Sequence, residues 1–231
     1  MPNSKTQSPA PRLADFVVQS PRPLPVILLA DVSGSMKENG KIDALNVAVS
    51  EMIRTFAAEE ASRVQISVAI ITFGGLEAQL HQPFSPAAEV RWTPMEAKGK
   101  TPLGSALRLA TKLMSDPQIL PTRKYKPVLI LVSDGQPNHD DWKQSLAELL
   151  GNECAKKAFR LALAIGPDAD AQMLAEFLRG SGQRVLAAPE AKQIRRFFDW
   201  VTMTVTTRTR SATPNSEPVP MPPDDLPEIE Y

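Results

Sequence analysis

Val26-Ile27-Leu28-Leu29-Ala30-Asp31-Val32-Ser33-Gly34-Ser35 is the stretch on which the reading of this chain turns. An unbroken apolar run predicts a strand buried on both faces, as the inner strands of a parallel sheet are. The run stops at a carboxylate, and hydroxyls follow at alternate positions. Small oxygen donors of this kind suit a hard divalent cation, bound directly or through water. Asp31, Ser33 and Ser35 therefore read as half of a metal site at a strand end.

The same alternation of signals extends outward. Ile42, Leu45, Val49, Met52, Ile53 and Phe56 recur at three- and four-residue spacing and predict a helix. VQISVAIITF over 64–73 is a long strand ended by Gly74-Gly75, and 78–84 reads as a short edge strand. Leu103, Leu107, Ala110 and Met114 form a second helical stripe, and PVLILV over 127–132 is another continuous apolar strand. A helix over 140–158, a strand over 161–165, a helix over 171–178, a strand over 185–188 and a helix over 191–205 complete the series. This predicts an α/β fold: a doubly wound, mostly parallel sheet with helices on both faces. Residues 1–24 and 208–231 are rich in proline and polar residues, the latter with an acidic finish. Their low apolar content predicts flexible segments flanking one domain over 25–207.

Composition narrows the function classes. The 231 residues carry 26 basic and 26 acidic side chains. A balanced charge gives no footing for nucleic-acid or membrane-surface binding, which favour a basic excess. The single cysteine, Cys154, has no internal disulfide partner and reads as a structural thiol on a helix. No apolar run approaches the roughly 20 residues that span a bilayer, and the N-terminal stretch lacks an apolar signal core. The expectation is a soluble, cytoplasmic protein.

Ligands of doubly wound sheets bind beyond the carboxyl ends of the strands, near the switch in strand order. Two further polar loops are expected there: Gly99-Lys100-Thr101-Pro102-Leu103-Gly104 before a helix, and Ser133-Asp134-Gly135-Gln136-Pro137 after a strand. With the first loop they would bring the carboxylates of Asp31 and Asp134 and the hydroxyls of Ser33, Ser35 and Thr101 to one place. Read singly, each loop has a plainer use, as a turn or a helix cap. Lys100 reads as solvated, His81 and His139 as surface residues, and Trp92, Trp142 and Trp200 as packing.

In this arrangement the chain resembles the von Willebrand factor A-type domain family over about 24–205. That family's metal-ion-dependent adhesion site combines D-x-S-x-S, a threonine on a separate loop and an aspartate after a later strand. Asp31, Ser33, Ser35, Thr101 and Asp134 stand in that order here. The glycines after the second long strand and the SDGQP form of the third loop are similar to the bacterial TerY-like branch linked to tellurite resistance. The resemblance implies that Ser33, Ser35 and Thr101 ligate the ion directly, and that Asp31 and Asp134 do so directly or through water. It implies an open position for an acidic residue of a partner protein. Mg²⁺ is favoured because few protein ligands plus waters suit its octahedral shell, and Mn²⁺ or Ca²⁺ also fit. The branch further implies a cytoplasmic adaptor in a stress response, with a protein kinase and a PP2C-type phosphatase as partners.

A metal-dependent phosphohydrolase with Asp31 as nucleophile is the competing class. Such enzymes resemble D-x-D at this position, whereas this chain has Ser33. Neither a G-x-x-x-x-G-K-[ST] loop nor a G-x-S-x-G elbow is present. The expectation is a binding module, not an enzyme. Two C-terminal features invite regulation: hydroxyls at Thr202, Thr204, Thr206, Thr207, Thr209, Ser211, Thr213 and Ser216 as phosphate acceptors, and Asp224, Asp225, Glu228 or Glu230 as an internal ligand for the metal.

Overall fold

A computed structural model describes residues 21–59, 64–138 and 141–229. Its strands are β1 (Arg22–Asp31), β2 (Val64–Phe73), β3 (Ala78–Pro86), β4 (Val128–Ser133), β5 (Phe159–Ile165) and β6 (Leu186–Ala188). They form one sheet in the order β3-β2-β1-β4-β5-β6, parallel except for the antiparallel β2–β3 pair. The strand order reverses between β1 and β4, and their carboxyl ends meet there.

Period-two alternation divides the core. Leu24, Val26, Leu28 and Ala30 face one helical layer, formed by α1 (Lys41–Ala58) and α6 (Ala191–Arg210). Ile27 and Leu29 face the other, formed by α2 (Leu103–Ser115), α3 (Trp142–Gly151), α4 (Glu153–Lys156) and α5 (Ala171–Leu178). Both faces of β1 and β4 are thereby buried, and this is why their sequences are continuously apolar. The doubly wound sheet expected from the sequence is the one observed.

Three expectations differ in detail. The helix expected over 140–158 is two helices, because Asn152 turns extended and its side chain accepts from the backbone N–H groups of Cys154 and Ala155 as a new cap. The last helix runs on to Arg210, with Thr202 and Thr206 hydroxyls bonding back to the carbonyls of Phe198 and Thr202. Thr204 and Thr209 are buried in it, which removes them as accessible phosphate acceptors. The segment after 210, expected to be flexible, lies along the edge of the sheet. Leu226 is buried in the core, Leu186 pairs with Glu228 as an antiparallel bridge, and Trp200 Nε1 donates to the Pro220 carbonyl. Residues 1–20, His139 and Glu230 lie outside the described residues. No described helix is long and apolar enough to cross a membrane.

Candidate metal centre

Adjacent parallel strands deliver the carboxylates. Ala30 is in register with Val132, so the next residues, Asp31 and Ser133, stand side by side at the top of β1 and β4. The Ser133 hydroxyl donates to Asp31 Oδ2 at 2.6 Å, and the Ser33 N–H donates to Asp31 Oδ1 at 2.8 Å. Asp31 is fully buried. Burial pushes its pKa up from 3.8 to about 6, against the opposing pull of the Ser133 and Ser33 hydrogen bonds and with a smaller upward push from Asp134.

The D-x-S-x-S stretch leaves β1 as a 3₁₀ turn, Gly34–Gly40, and its hydroxyls turn toward β4. Ser35 Oγ donates to Asp134 Oδ1 at 2.8 Å; Ser33 Oγ lies 3.0 Å from Ser35 Oγ and 3.4 Å from the same aspartate oxygen. These three oxygens form a tight triangle of donors from two strand ends.

Thr101 arrives by a third route. Gly99 adopts φ +69°, and a side chain there would collide with Gly75 Cα at 2.4 Å; a side chain at Gly74 would meet the Val32 carbonyl oxygen at the same 2.4 Å. Only glycine lets the loop before α2 lie against the ends of β1 and β2 this closely. The Gly34 N–H donates to the Gly99 carbonyl at 2.9 Å and fastens the two loops. Thr101 is buried, and its N–H bonds to Asn138 Oδ1. Its hydroxyl is not spent on the following helix, whose N-cap is Pro102 and has no side-chain capping bond. A Cβ on Gly135 would be 3.9 Å from both Thr101 Oγ1 and Ser35 Oγ, so these hydroxyls flank one point on the Asp134 loop.

The five residues singled out in the sequence therefore share one end of the sheet. Their chemistry fits a hard cation: carboxylate and hydroxyl oxygens only, already crowded at hydrogen-bonding distance, with no imidazole or thiol. Among the described residues no group of three His, Cys, Asp or Glu offers a rival, and this centre itself combines two carboxylates with hydroxyls. His81 is engaged otherwise: it bonds the Thr93 carbonyl and meets Trp92 edge-on. Asp225 pairs with Arg196, and Glu228 with Arg184, along the sheet edge.

Two participants were missed by sequence reasoning. In the sequence Ser133 reads only as part of a loop; its position directly before Asp134 on a strand end is the signal for the donor that holds Asp31. Lys41 is the larger omission. Asn39 and Gly40 take left-handed backbone angles, φ 53° and 69°, and start α1 so that Lys41 points back over the site. Its Nζ lies 2.8 Å from Asp134 Oδ2, and both side chains are buried.

Comparison with known proteins bears on the fold. No curated protein sequence matches the chain. Among solved structures, a von Willebrand factor type A protein from Catenulispora acidiphila superposes with a TM-score of 0.63 at 17% identity, over 79% of this chain and 42% of that one. Proximal thread matrix protein 1 from the mussel byssus, solved with a zinc-occupied MIDAS motif, gives 0.59 at 16% identity, over 79% of this chain and 48% of that one. Manganese-loaded TRAP protein of Plasmodium vivax gives 0.53 at 15% identity, over 75% of this chain and 71% of that one. The chain thus spans less than half the length of the first two, and identities this low speak for the fold alone. Over residues 26–136, a span that holds Asp31, Ser33, Ser35, Thr101 and Asp134, the chain matches the family model of the von Willebrand factor type A domain.

Proposed function

We propose that this chain is a metal-dependent protein-binding module, in which Asp31, Ser33, Ser35, Thr101 and Asp134 hold a divalent cation that receives an acidic side chain of a partner protein. The observation that carries this reading is the convergence of the Ser33 and Ser35 hydroxyls with Asp134 Oδ1 within 2.8–3.4 Å, beside Thr101. Hydroxyl ligands do not neutralise a cation, so a bound ion supplies a Lewis-acidic centre that draws an external carboxylate. Mg²⁺ is the favoured ion; zinc in the byssus protein and manganese in the Plasmodium protein make a divalent ion of some kind the natural occupant.

Binding, not catalysis, suits the local chemistry. Asp31 engages both its oxygens, one with the Ser33 N–H and one with the Ser133 hydroxyl, and so is poorly placed as a nucleophile. The finer reading rests on Gly74-Gly75 and Ser133-Asp134-Gly135-Gln136-Pro137: a TerY-like cytoplasmic adaptor in a tellurite or stress response, working with a protein kinase and a PP2C-type phosphatase.

Calorimetric titration with Mg²⁺ and Mn²⁺ tests the core of the proposal. Asp31→Ala should remove cation binding and leave the circular dichroism spectrum unchanged. Cation binding that survives in Asp31→Ala would overturn the assignment. Mg²⁺-dependent hydrolysis of a phosphomonoester, lost in Asp31→Asn, would replace the binding module with the phosphohydrolase.

A further inference from the structure

We propose that Lys41 sets the net charge of the metal centre and thereby makes it selective for an acidic partner; the inference rests on the metal-site reading above. Lys41 is the first residue of α1 and is buried, with its Nζ 2.8 Å from Asp134 Oδ2. The other oxygen of the same carboxylate accepts from Ser35 at 2.8 Å, on the side of the hydroxyl cluster. Asp134 is therefore shared: one oxygen belongs to the cation site and the other to a fixed ammonium. Asp31, by contrast, is held by uncharged donors, the Ser33 N–H and the Ser133 hydroxyl.

The lysine borders a cavity of about 440 Å³ whose other charged lining residues, Glu190 and Lys192, pair with each other at 2.8 Å and add no net charge. Gly166 has φ +75°, and a Cβ there would stand only 3.3 Å from Lys41 Cε and 3.4 Å from Nζ. The turn after β5 thus leaves room for the lysine only because residue 166 has no side chain, and the left-handed turn at Asn39 and Gly40 fixes the start of the helix that carries it.

The charge count follows from these contacts. Asp31, Asp134 and Lys41 together carry one net negative charge when both acids are ionised. A divalent cation turns that into one net positive charge, and an incoming carboxylate then brings the centre to neutrality. Without Lys41 the loaded centre is already neutral, and an added acid leaves it negative. Lys41 thus opposes the cation and favours the acid, with opposite signs. A buried or half-buried unit charge a few ångströms away is worth roughly tenfold or more in affinity for either species.

Mn²⁺ titration and subsequent acetate titration separate the two effects. Mn²⁺ affinity is read by calorimetry, and acetate binding to the loaded protein by the loss of Mn²⁺-enhanced water-proton relaxation. Lys41→Gln should bind Mn²⁺ about tenfold more tightly, and its loaded form should take acetate about tenfold more weakly. Lys41→Arg should keep both affinities near those of the unaltered protein. A merely structural lysine would weaken both together on substitution; that result, or no change in either, overturns the proposal. If Lys41→Gln fails to fold by thermal melting, Lys41→Arg decides alone, because a retained charge must retain acetate capture, and its loss overturns the inference. Absence of Mn²⁺ binding by the unaltered protein is a separate outcome, which removes the metal-site reading and this inference with it.

Discussion

At the carboxyl ends of β1 and β4, Asp31 and Asp134 lie buried among side-chain hydroxyls and one ammonium. At the opposite end of the sheet, Arg208 and Arg160 are buried just as deeply, but among backbone carbonyls. Arg208 donates to the carbonyls of Pro214 and Lys126, each at 2.8 Å, and its guanidinium lies over the Phe159 ring at 4.2 Å. Arg160 donates to the carbonyls of Ala155 and Arg179. Burial lowers the pKa of both, that of Arg208 to about 10. Buried charge by itself is therefore no mark of function. What differs is the partner. Backbone carbonyls take Nε and Nη2 of Arg208 and Nη1 and Nη2 of Arg160 and tie segments of the chain together, leaving Arg208 Nη1 and Arg160 Nε without a partner among the described residues, whereas side-chain hydroxyls and a shared carboxylate leave oxygens that a cation can claim.

The largest expected effect lies at the arginine end. Arg208→Met keeps an unbranched side chain over Phe159 but leaves the Pro214 and Lys126 carbonyls without their donor. The cost should be about 4 kcal/mol, from two hydrogen bonds to a charged donor at about 1.5–3 kcal/mol each, one buried and one partly buried. Urea denaturation measures it, and the affinity for Mn²⁺ should stay within about twofold, since no contact of Arg208 reaches the metal centre. A tenfold change in Mn²⁺ affinity would break the separation between the two ends.

The next effect lies at the acidic end and depends on pH. Burial raises the Asp31 pKa from 3.8 to about 6, so folding favours its protonated form. The stability this group contributes is present in full below its unfolded pKa and is lost as pH rises through the folded value. The window is about pH 4 to 6, and the loss amounts to about 3 kcal/mol. Other carboxylates titrate in the same range, so the comparison is with Asp31→Asn. The metal-free variant should be the more stable protein near pH 7, by an advantage that shrinks as pH falls toward 4. A bound cation needs the ionised acid, so metal affinity should fall about tenfold for each pH unit below about 6. A variant of unchanged stability at pH 7, measured by urea denaturation, would show that the buried carboxylate costs the apoprotein nothing.

How far the two ends were legible beforehand follows from the range of the interactions. The apolar runs of β1 and β4 and the stripes of α1 and α2 are local periodicities, and they yield the doubly wound sheet directly. Asp31, Ser33, Ser35, Thr101 and Asp134 were picked out because each sits on a strand end or helix start, where the topology alone brings them together. Lys41 was not, because its contact spans 93 residues and depends on a left-handed turn at Asn39 and Gly40. Arg208 was hidden for a similar reason: its acceptors are backbone atoms, which carry no sequence signal. The composition of the C-terminal segment predicts flexibility, yet its backbone pairs with β6: the Ala187 N–H donates to the Pro227 carbonyl and the Ile229 N–H to that of Val185. A few apolar anchors, with Leu226 buried and Val219 and Ile229 partly buried against the core, are enough once main-chain bonds do the rest.

The smallest effect concerns that same C-terminal segment and extends the contrast to charges that are not buried. Arg184 and Glu228 pair at 3.0 Å, with side chains 63% and 40% exposed. Water screens such a pair, and Glu228→Gln should change stability by less than about 0.5 kcal/mol. Leu226→Ala, which empties a buried site on the same segment, should cost about 2 kcal/mol. Thermal melting of the two variants side by side tests whether the segment is held by apolar burial and backbone bonding, as Arg208 holds the lower end, or by charge. If Glu228→Gln were as damaging as Leu226→Ala, surface ion pairing would have to be counted as a third way this fold uses charge. An equal pair of small effects would mean that the backbone bonds to β6 hold the segment without help from either side chain.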